Sequence, residues 1–311
     1  MMSLGRLTLG VSAGLGGWLA GWLAGRAEPV RRAPPGHPLF GTVSAALPIP
    51  SDAQAPDVRA DQQPAKNAGR VAQIMRFGFP GLDNVRSQSD YVLSYDRRAR
   101  VPMWVFEHLT AESVRRNDEV DRAGCEFVAD TSIHPYFRAD NSDYKGSGYD
   151  RGHMAAAANH RRSQQEQQET FLLSNMAPQV GVGFNRDKWN DLEMHVRKLC
   201  KVYPNVYVCT GPLYLPRREA DGRLRVSYEV IGKNQVSVPT HFYKIVVGET
   251  VAGAWKLEAY VMPNQVIPNE APITNYLVPP DVIERAAGLL FFDRMDRSRL
   301  MRVNGRKTTW L

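Results

Sequence analysis

Tyr149-Asp150-Arg151-Gly152-His153-Met154 sets an acid, a base, a glycine and a histidine side by side, and four alanines (155–158) lead from it to Asn159-His160. A loop rich in Asn, Ser, Asp and Gly (141–148) precedes it, and the chain stays polar after it. Charged groups beside a glycine, set between loops, suit a site better than a core. His153 has an acid and an arginine within three positions and a glycine directly before it, a setting that the other histidines lack. An imidazole titrates near neutrality and can take a proton from water. Arg151 offers a planar fork to phosphate or carboxylate. Gly152 lets backbone approach a ligand, and Asp150 can orient a neighbour by hydrogen bonding. A surface Asp–Arg pair beside an ordinary packed histidine is the plain alternative, and these residues alone leave the two evenly matched.

Downstream, residues 185–200 carry the clearest helical pattern. Trp189, Leu192, Val196 and Leu199 share one face of a 3.6-residue period. Asp187, Asp191 and Glu193 lie toward the start and Arg197, Lys198 and Lys201 toward the end, which complements the helix dipole. The pattern predicts a helix with Asn185 at its entrance, as a cap or as an amide reaching outward. Residues 91–95 and 101–109 read as a hairpin, 125–131 as an edge strand and 171–175 as a short strand. Further strands are expected at 206–210, 223–231, 235–238, 241–247 and 256–262, with a late helix at 282–290 introduced by Pro279-Pro280-Asp281. Strands, a central helix, more strands and a late helix imply an α+β domain with a mixed, mainly antiparallel sheet rather than βαβ winding.

The 311 residues are 43% hydrophobic and 23% charged, ordinary for a globular chain, and the net charge of +7 permits a polyanionic partner without requiring one. Cys125, Cys200 and Cys209 are widely spaced and odd in number, which argues against a disulfide scaffold or a zinc ribbon. Residues 1–27 contain no acid, and Arg6 precedes an uncharged run (7–25) about long enough to cross a bilayer. That composition predicts a mitochondrial targeting segment with a hydrophobic anchor. A secretory signal is the rival, and the odd cysteine count weighs against secretion. Residues 28–65 are proline-rich and read as a linker or propeptide, and 66–311 as the catalytic body.

Asp150-Arg151-Gly152-His153 resembles the signature of the DNA/RNA non-specific endonucleases, whose active site is a ββα-metal (His-Me finger) motif. Phe171-Leu172-Leu173-Ser174-Asn175-Met176-Ala177-Pro178-Gln179, Phe184-Asn185-Arg186-Asp187-Lys188-Trp189-Asn190-Asp191-Leu192-Glu193 and Thr210-Gly211-Pro212-Leu213-Tyr214 resemble the family's following blocks, in order, across residues 70–300. The mitochondrial members are the most similar. The resemblance implies that His153 is the general base and that Asn185 is the one direct protein ligand of a single Mg²⁺ or Mn²⁺. It makes Glu193 the holder of metal-bound water and Arg151 a phosphate ligand. Asp150, Asn175 and Gln179 would fix the His153 ring and the loop. A lone neutral oxygen suits a hard ion that keeps most of its waters.

The implied activity is metal-dependent hydrolysis of DNA and RNA with little sequence preference, leaving 5′-phosphate and 3′-hydroxyl ends. The resemblance also implies a homodimer, inner-membrane association through the N-terminal segment, residence in or near the intermembrane space, and relocation to the nucleus. A catalytically inactive nucleic-acid-binding protein on the same fold is one alternative. The exonuclease-biased mitochondrial relative, which carries an extra C-terminal segment, is another. Secreted bacterial members place a further arginine near the position of Cys125, so its role is expected to be absent or passed to Arg138. Of the remaining polar residues, His160 reads as loop-stabilising or substrate-facing and His195 as exposed, while His108, His134 and His241 show no convergent partners. Arg97-Arg98, Arg115-Arg116, Arg161-Arg162 and Arg217-Arg218 could follow a polyanion, though each pair alone reads as solvated surface.

Overall fold

β-branched and aromatic residues dominate the two runs expected to form the first hairpin, and in the computed structural model both are strands. The structure describes residues 68–308, so the leader and the proline-rich segment lie outside the described residues. β1 (Val85–Ser87), β2 (Tyr91–Asp96) and β3 (Val101–Leu109) run antiparallel. β4 (Tyr149–His153) and β5 (Met176–Val180) form a separate antiparallel ribbon. The main sheet continues with β6 (Asn205–Leu213). After the short strands β7 (Arg217–Arg218), β8 (Leu224–Arg225), β9 (Val230–Ile231) and β10 (Val236–Ser237), it takes up β11 (His241–Glu249) and β12 (Trp255–Pro263). β13 (Leu300–Val303) and β14 (Arg306–Lys307) complete eight strands in the order β1-β2-β3-β6-β11-β12-β13-β14, parallel only between β12 and β13.

The central strands are buried on both faces, which is why β6 and β11 read as nearly continuous apolar runs. Their side chains alternate between the two faces of the sheet. On one face Leu93, Val105, Phe242 and Tyr260 meet Trp189 and Leu192 of the central helix and Met176 of the ribbon. On the other, Val92, Trp104, Phe106, Tyr243 and Ile245 meet Ile74 and Ile283. Those two residues belong to α1 (Ala68–Ile74) and to the late helix Pro280–Ala287, which ends at Gly288 in the left-handed conformation. The sheet therefore presses the central helix and the β4–β5 ribbon together on one side. Between these elements lie the short helices α2 (Asn141–Tyr144) and α3 (Gln164–Glu169); the central helix is α4 (Lys188–Leu199) and the late one α5. Among the described residues no helix is long and apolar enough to cross a membrane.

Several expected boundaries move. α4 starts at Lys188 with Asp187 at its N-cap position, so Asn185 is neither in the helix nor its cap. Asn185 ends a tight turn, Gly181–Asn185, in which Gly183 has φ +86°, a conformation that interrupts the helical pattern and favours glycine. Residues 125–131 form no strand and make only a bridge between Val128 and Leu172. Residues 171–175 end in a 3₁₀ turn, Leu173–Asn175, and extended chain begins at Met176. The Asn175 side chain explains the turn: its amide donates to Thr170 O at 2.8 Å and Ala155 O at 3.0 Å, which holds the backbone curled. The expected strand at 223–231 is broken into β8 and β9.

Candidate active site

The signature lies on β4, where a period of two divides its letters between faces. Arg151 and His153 share one face. The Arg151 guanidinium stands 4.3 Å from the Phe127 ring centroid and donates to Asn141 Oδ1 at 2.7 Å. The His153 ring is held between Phe127 and Phe171, at 5.6 and 4.9 Å between centroids. Its Nε2 is buried without a hydrogen-bond partner. Gly152 is required by close packing: a Cβ there would fall 2.0 Å from Gln179 Oε1 and 2.5 Å from Gln179 Cγ.

Asp150 faces the turn before α4. Its Oδ2 accepts from Asn185 Nδ2 at 2.9 Å, and Arg186 donates to both oxygens, at 2.8 and 2.7 Å. The bond from Arg186, with that from Asn185 and against a burial penalty, holds the Asp150 carboxyl below its usual range. Asp150 therefore fixes the Asn185 amide and not the His153 ring, contrary to the expectation from the motif. Asn175 does the other half of that expected work. Its Oδ1 accepts from Ala155 N at 2.9 Å and its own carbonyl from Met154 N at 3.0 Å, which staples the loop leaving His153. Gln179 is buried against Gly152, and neither of its amide atoms finds a partner.

These elements enclose a cavity of about 990 Å³ lined by Asp150, Arg151, His153, Asn185 and Glu193. Five of the seven singled-out residues thus meet in one space, with Asn175 and Gln179 behind it. The cavity is strongly cationic: Arg122, Arg161, Arg186 and Arg197 also line it. Sequence reasoning missed Arg122, Asn190 and Arg197. Asn190, Glu193 and Arg197 follow a helical i, i+3, i+7 spacing, so a polar stripe opposite the apolar face was there to be read. Arg122 comes from a stretch without periodicity. It lines the cavity, and neither Cys125 nor Arg138 does, so Arg138 is not placed to take the role that the resemblance assigns near Cys125. Cys125 instead contacts the Gln164 amide at 3.3 Å, and Cys200 and Cys209 are buried free thiols.

Three other histidines have structural partners. His160 is fully buried between Asp90 (2.8 Å) and Glu107 (3.0 Å). His195 is half-buried and bonded to Glu258 at 2.7 Å, not free on the surface as expected. His108 meets Arg70 and Asn205.

Burial, reinforced by the charges of Arg122 and His160, pushes the His153 imidazole down to about 3. The ring is therefore neutral at pH 7 and free to accept a proton, and an anion bound beside it would raise its basicity. Burial pushes the Glu193 carboxyl up to about 7, against the pull of Lys244 and Arg197.

Among the described residues no three His, Cys, Asp or Glu side chains converge as a metal cage. What the cavity offers is one amide oxygen: Asn185 Nδ2 is committed to Asp150, and no described donor bonds Oδ1. With the Glu193 carboxyl lining the same cavity, that donor set fits a hydrated hard cation and not a thiolate- or imidazole-bound metal.

A family model described as DNA/RNA non-specific endonuclease matches residues 70–298. The chain is 48% identical over 276 residues to mitochondrial endonuclease G of Caenorhabditis elegans, covering 87% of this chain and 90% of that protein. It is 52% identical over 219 residues to mitochondrial endonuclease G of Homo sapiens, covering 70% and 73%. A chain in the crystal structure of the EndoG/EndoGI complex superposes with a TM-score of 0.76 at 64% identity, over 79% of this chain and 99% of that one. By sequence and by fold, the chain belongs to the DNA/RNA non-specific endonuclease family.

Proposed function

We propose that this cavity hydrolyses phosphodiester bonds of DNA and RNA with little sequence preference, with His153 as general base and 5′-phosphate and 3′-hydroxyl ends as products. The observation that carries the reading is the meeting of His153 and Asn185, from two separate segments, in one cationic cavity. Membership of a nuclease family supports it independently.

Neutral His153 takes a proton from the attacking water, and the packed Phe127 and Phe171 rings keep the imidazole from swinging away. Arg151, pinned by Asn141, presents its guanidinium to a phosphate oxygen. Arg122 and Arg197 add positive potential around the same oxygen cluster. Asn185 Oδ1 would hold one Mg²⁺ or Mn²⁺ and Glu193 its bound water. Such an ion would supply stabilisation of the charge that builds on the phosphate and on the leaving oxygen. Asp150 keeps the Asn185 amide turned so that oxygen, and not nitrogen, is available. The contacts proposed to the substrate itself are to phosphate, which both nucleic acids present, so the sugar and the base sequence matter little.

The acid-free leader and the mitochondrial names of the relatives support residence in mitochondria, and the family resemblance supports the intermembrane space or inner membrane and a homodimer. The test is plasmid nicking and RNA cleavage with Mg²⁺, with EDTA, and in His153→Ala. Cleavage is expected with Mg²⁺ and wild-type protein alone. Wild-type rates in folded His153→Ala would overturn the mechanism, and binding without any cleavage by wild-type protein would favour the inactive-binder alternative.

A further inference from the structure

Arg161 and Arg162 are neighbours with opposite fates. Arg162 is neutralised by Asp90 and by Glu166 at 2.9 Å. Arg161 has no hydrogen-bond acceptor or carboxylate partner among the described residues, although it follows His160, whose ring is clamped by two buried carboxylates. A rigidly mounted backbone thus holds out an unneutralised guanidinium. Burial and the nearby Arg197, Arg116 and Arg122 all disfavour its charge, so the protein itself supplies repulsion and no counterion.

Its place gives that repulsion a use. Arg161 lines the catalytic cavity and also a second cavity of about 500 Å³, and Arg122 is shared in the same way. The second cavity contains two acids, and both are occupied. Asp121 accepts from Ala123 N at 2.8 Å and Gly124 N at 3.1 Å, and Asp118 pairs with Arg116 at 2.9 Å. The free positive charge therefore stands on the wall between the two spaces.

We propose that Arg161 is a second phosphate subsite, binding a backbone phosphate one step along the strand from the reacting one and leading that strand into the neighbouring cavity. The proposal rests on the nuclease reading above. An anion there relieves the arginine cluster, and the contact serves binding, not bond breaking.

The experiment is binding of a short single-stranded oligodeoxynucleotide in EDTA across a range of NaCl concentrations, together with steady-state cleavage in Mg²⁺. Relative to wild type, Arg161→Ala is expected to lower the slope of log K against log [NaCl] by about 0.7, the share of one phosphate contact on a single strand. KM should rise roughly tenfold, with a much smaller fall in kcat. Arg161→Lys should keep the slope, because one charge still meets the phosphate. An unchanged slope and KM would overturn the proposal, as would a fall in kcat as large as that in kcat/KM, which would assign Arg161 to the reacting phosphate. Wild-type protein that neither binds nor cuts the strand would instead sink the nuclease reading itself.

Discussion

Asp150→Ala should uncouple the metal from the site while leaving the base in place. No hydrogen bond joins Asp150 to His153; it holds the Asn185 amide at 2.9 Å and shares both oxygens with Arg186. A hydrogen bond to a charged acceptor contributes about 1.5–3 kcal/mol. Asp150 is only partly buried, and screening brings its bond with Asn185 to just below that range, about 1.4 kcal/mol. That amount is about a tenfold preference for the amide orientation that presents Oδ1. Removing the carboxylate should raise the Mg²⁺ concentration for half-maximal nicking about tenfold, within the range usual for residues that orient a metal ligand. Rates at saturating Mg²⁺ should recover to within a few-fold of wild type. Arg186→Ala is the control: it removes an exposed partner, leaves the Asn185 bond and should barely move the Mg²⁺ midpoint. Asp150→Asn can still accept from Asn185 and should fall between. A Mg²⁺ midpoint unchanged in Asp150→Ala, or moved as far by Arg186→Ala, would refute the orienting role.

His153→Ala should lower cleavage by about 10²–10⁴-fold, the usual share of a general base, with an unchanged circular dichroism spectrum; a smaller loss would point to another base. Gly152→Ala should destabilise the protein by about 1–3 kcal/mol in urea unfolding, because its Cβ would meet the buried Gln179 side chain at 2.0–2.5 Å. An unaltered midpoint would mean that the ribbon yields more easily than its packing suggests. Burial opposes protonation of His160, but the bonds to Asp90 and Glu107 outweigh it and push the imidazole up to about 9. The unfolded value is near 6.5, so this stabilisation is complete below about pH 6.5 and is lost as pH rises through about 9. Thermal melting should decline over that window in wild type and lose that part of the slope in His160→Gln; an identical slope in the variant would remove His160 as its source.

The central sheet and α4 were legible because periodicity records burial. β6 and β11 are apolar on both faces, and the α4 stripe of Trp189, Leu192 and Val196 is buried as its spacing demands. The segments that escaped lack periodicity for physical reasons. Residues 125–131 make one bridge, so no ladder imposes alternation. The 3₁₀ turn at Leu173–Asn175 exists because one side chain replaces several backbone partners, and propensity does not register an amide that bonds residues 155 and 170. The helix start was misplaced for a similar reason. Gly183 and the carboxylate of Asp187, which accepts from Gly183 N at 2.6 Å, close a turn that the apolar spacing does not reveal. The positions of His153 and Asn185 could be read from residue type and resemblance, whereas Arg122 could be found only once the chain was folded.

The four letters Asp150-Arg151-Gly152-His153 then divide into two tasks. A strand has two faces, so adjacent residues cannot serve one ligand equally. Arg151 and His153, two apart, share one face, to which the proposed mechanism brings phosphate and water. Asp150 and Gly152 manage the chain: Gly152 leaves the space that Gln179 fills, and Asp150 sits against Gly181, where a Cβ would come within 3.0 Å of its carboxylate, to reach the Asn185 turn. The register of β4 with β5 sets both, since Asp150 lies opposite Gln179 and His153 opposite Met176. A slip of one residue would turn the imidazole toward Gln179 and the carboxylate toward the phosphate, exchanging a base for a repelling charge. On the proposed mechanism the strand pairing is thus a condition of the chemistry, and the acid of the signature serves Asn185 although it lies three residues from His153.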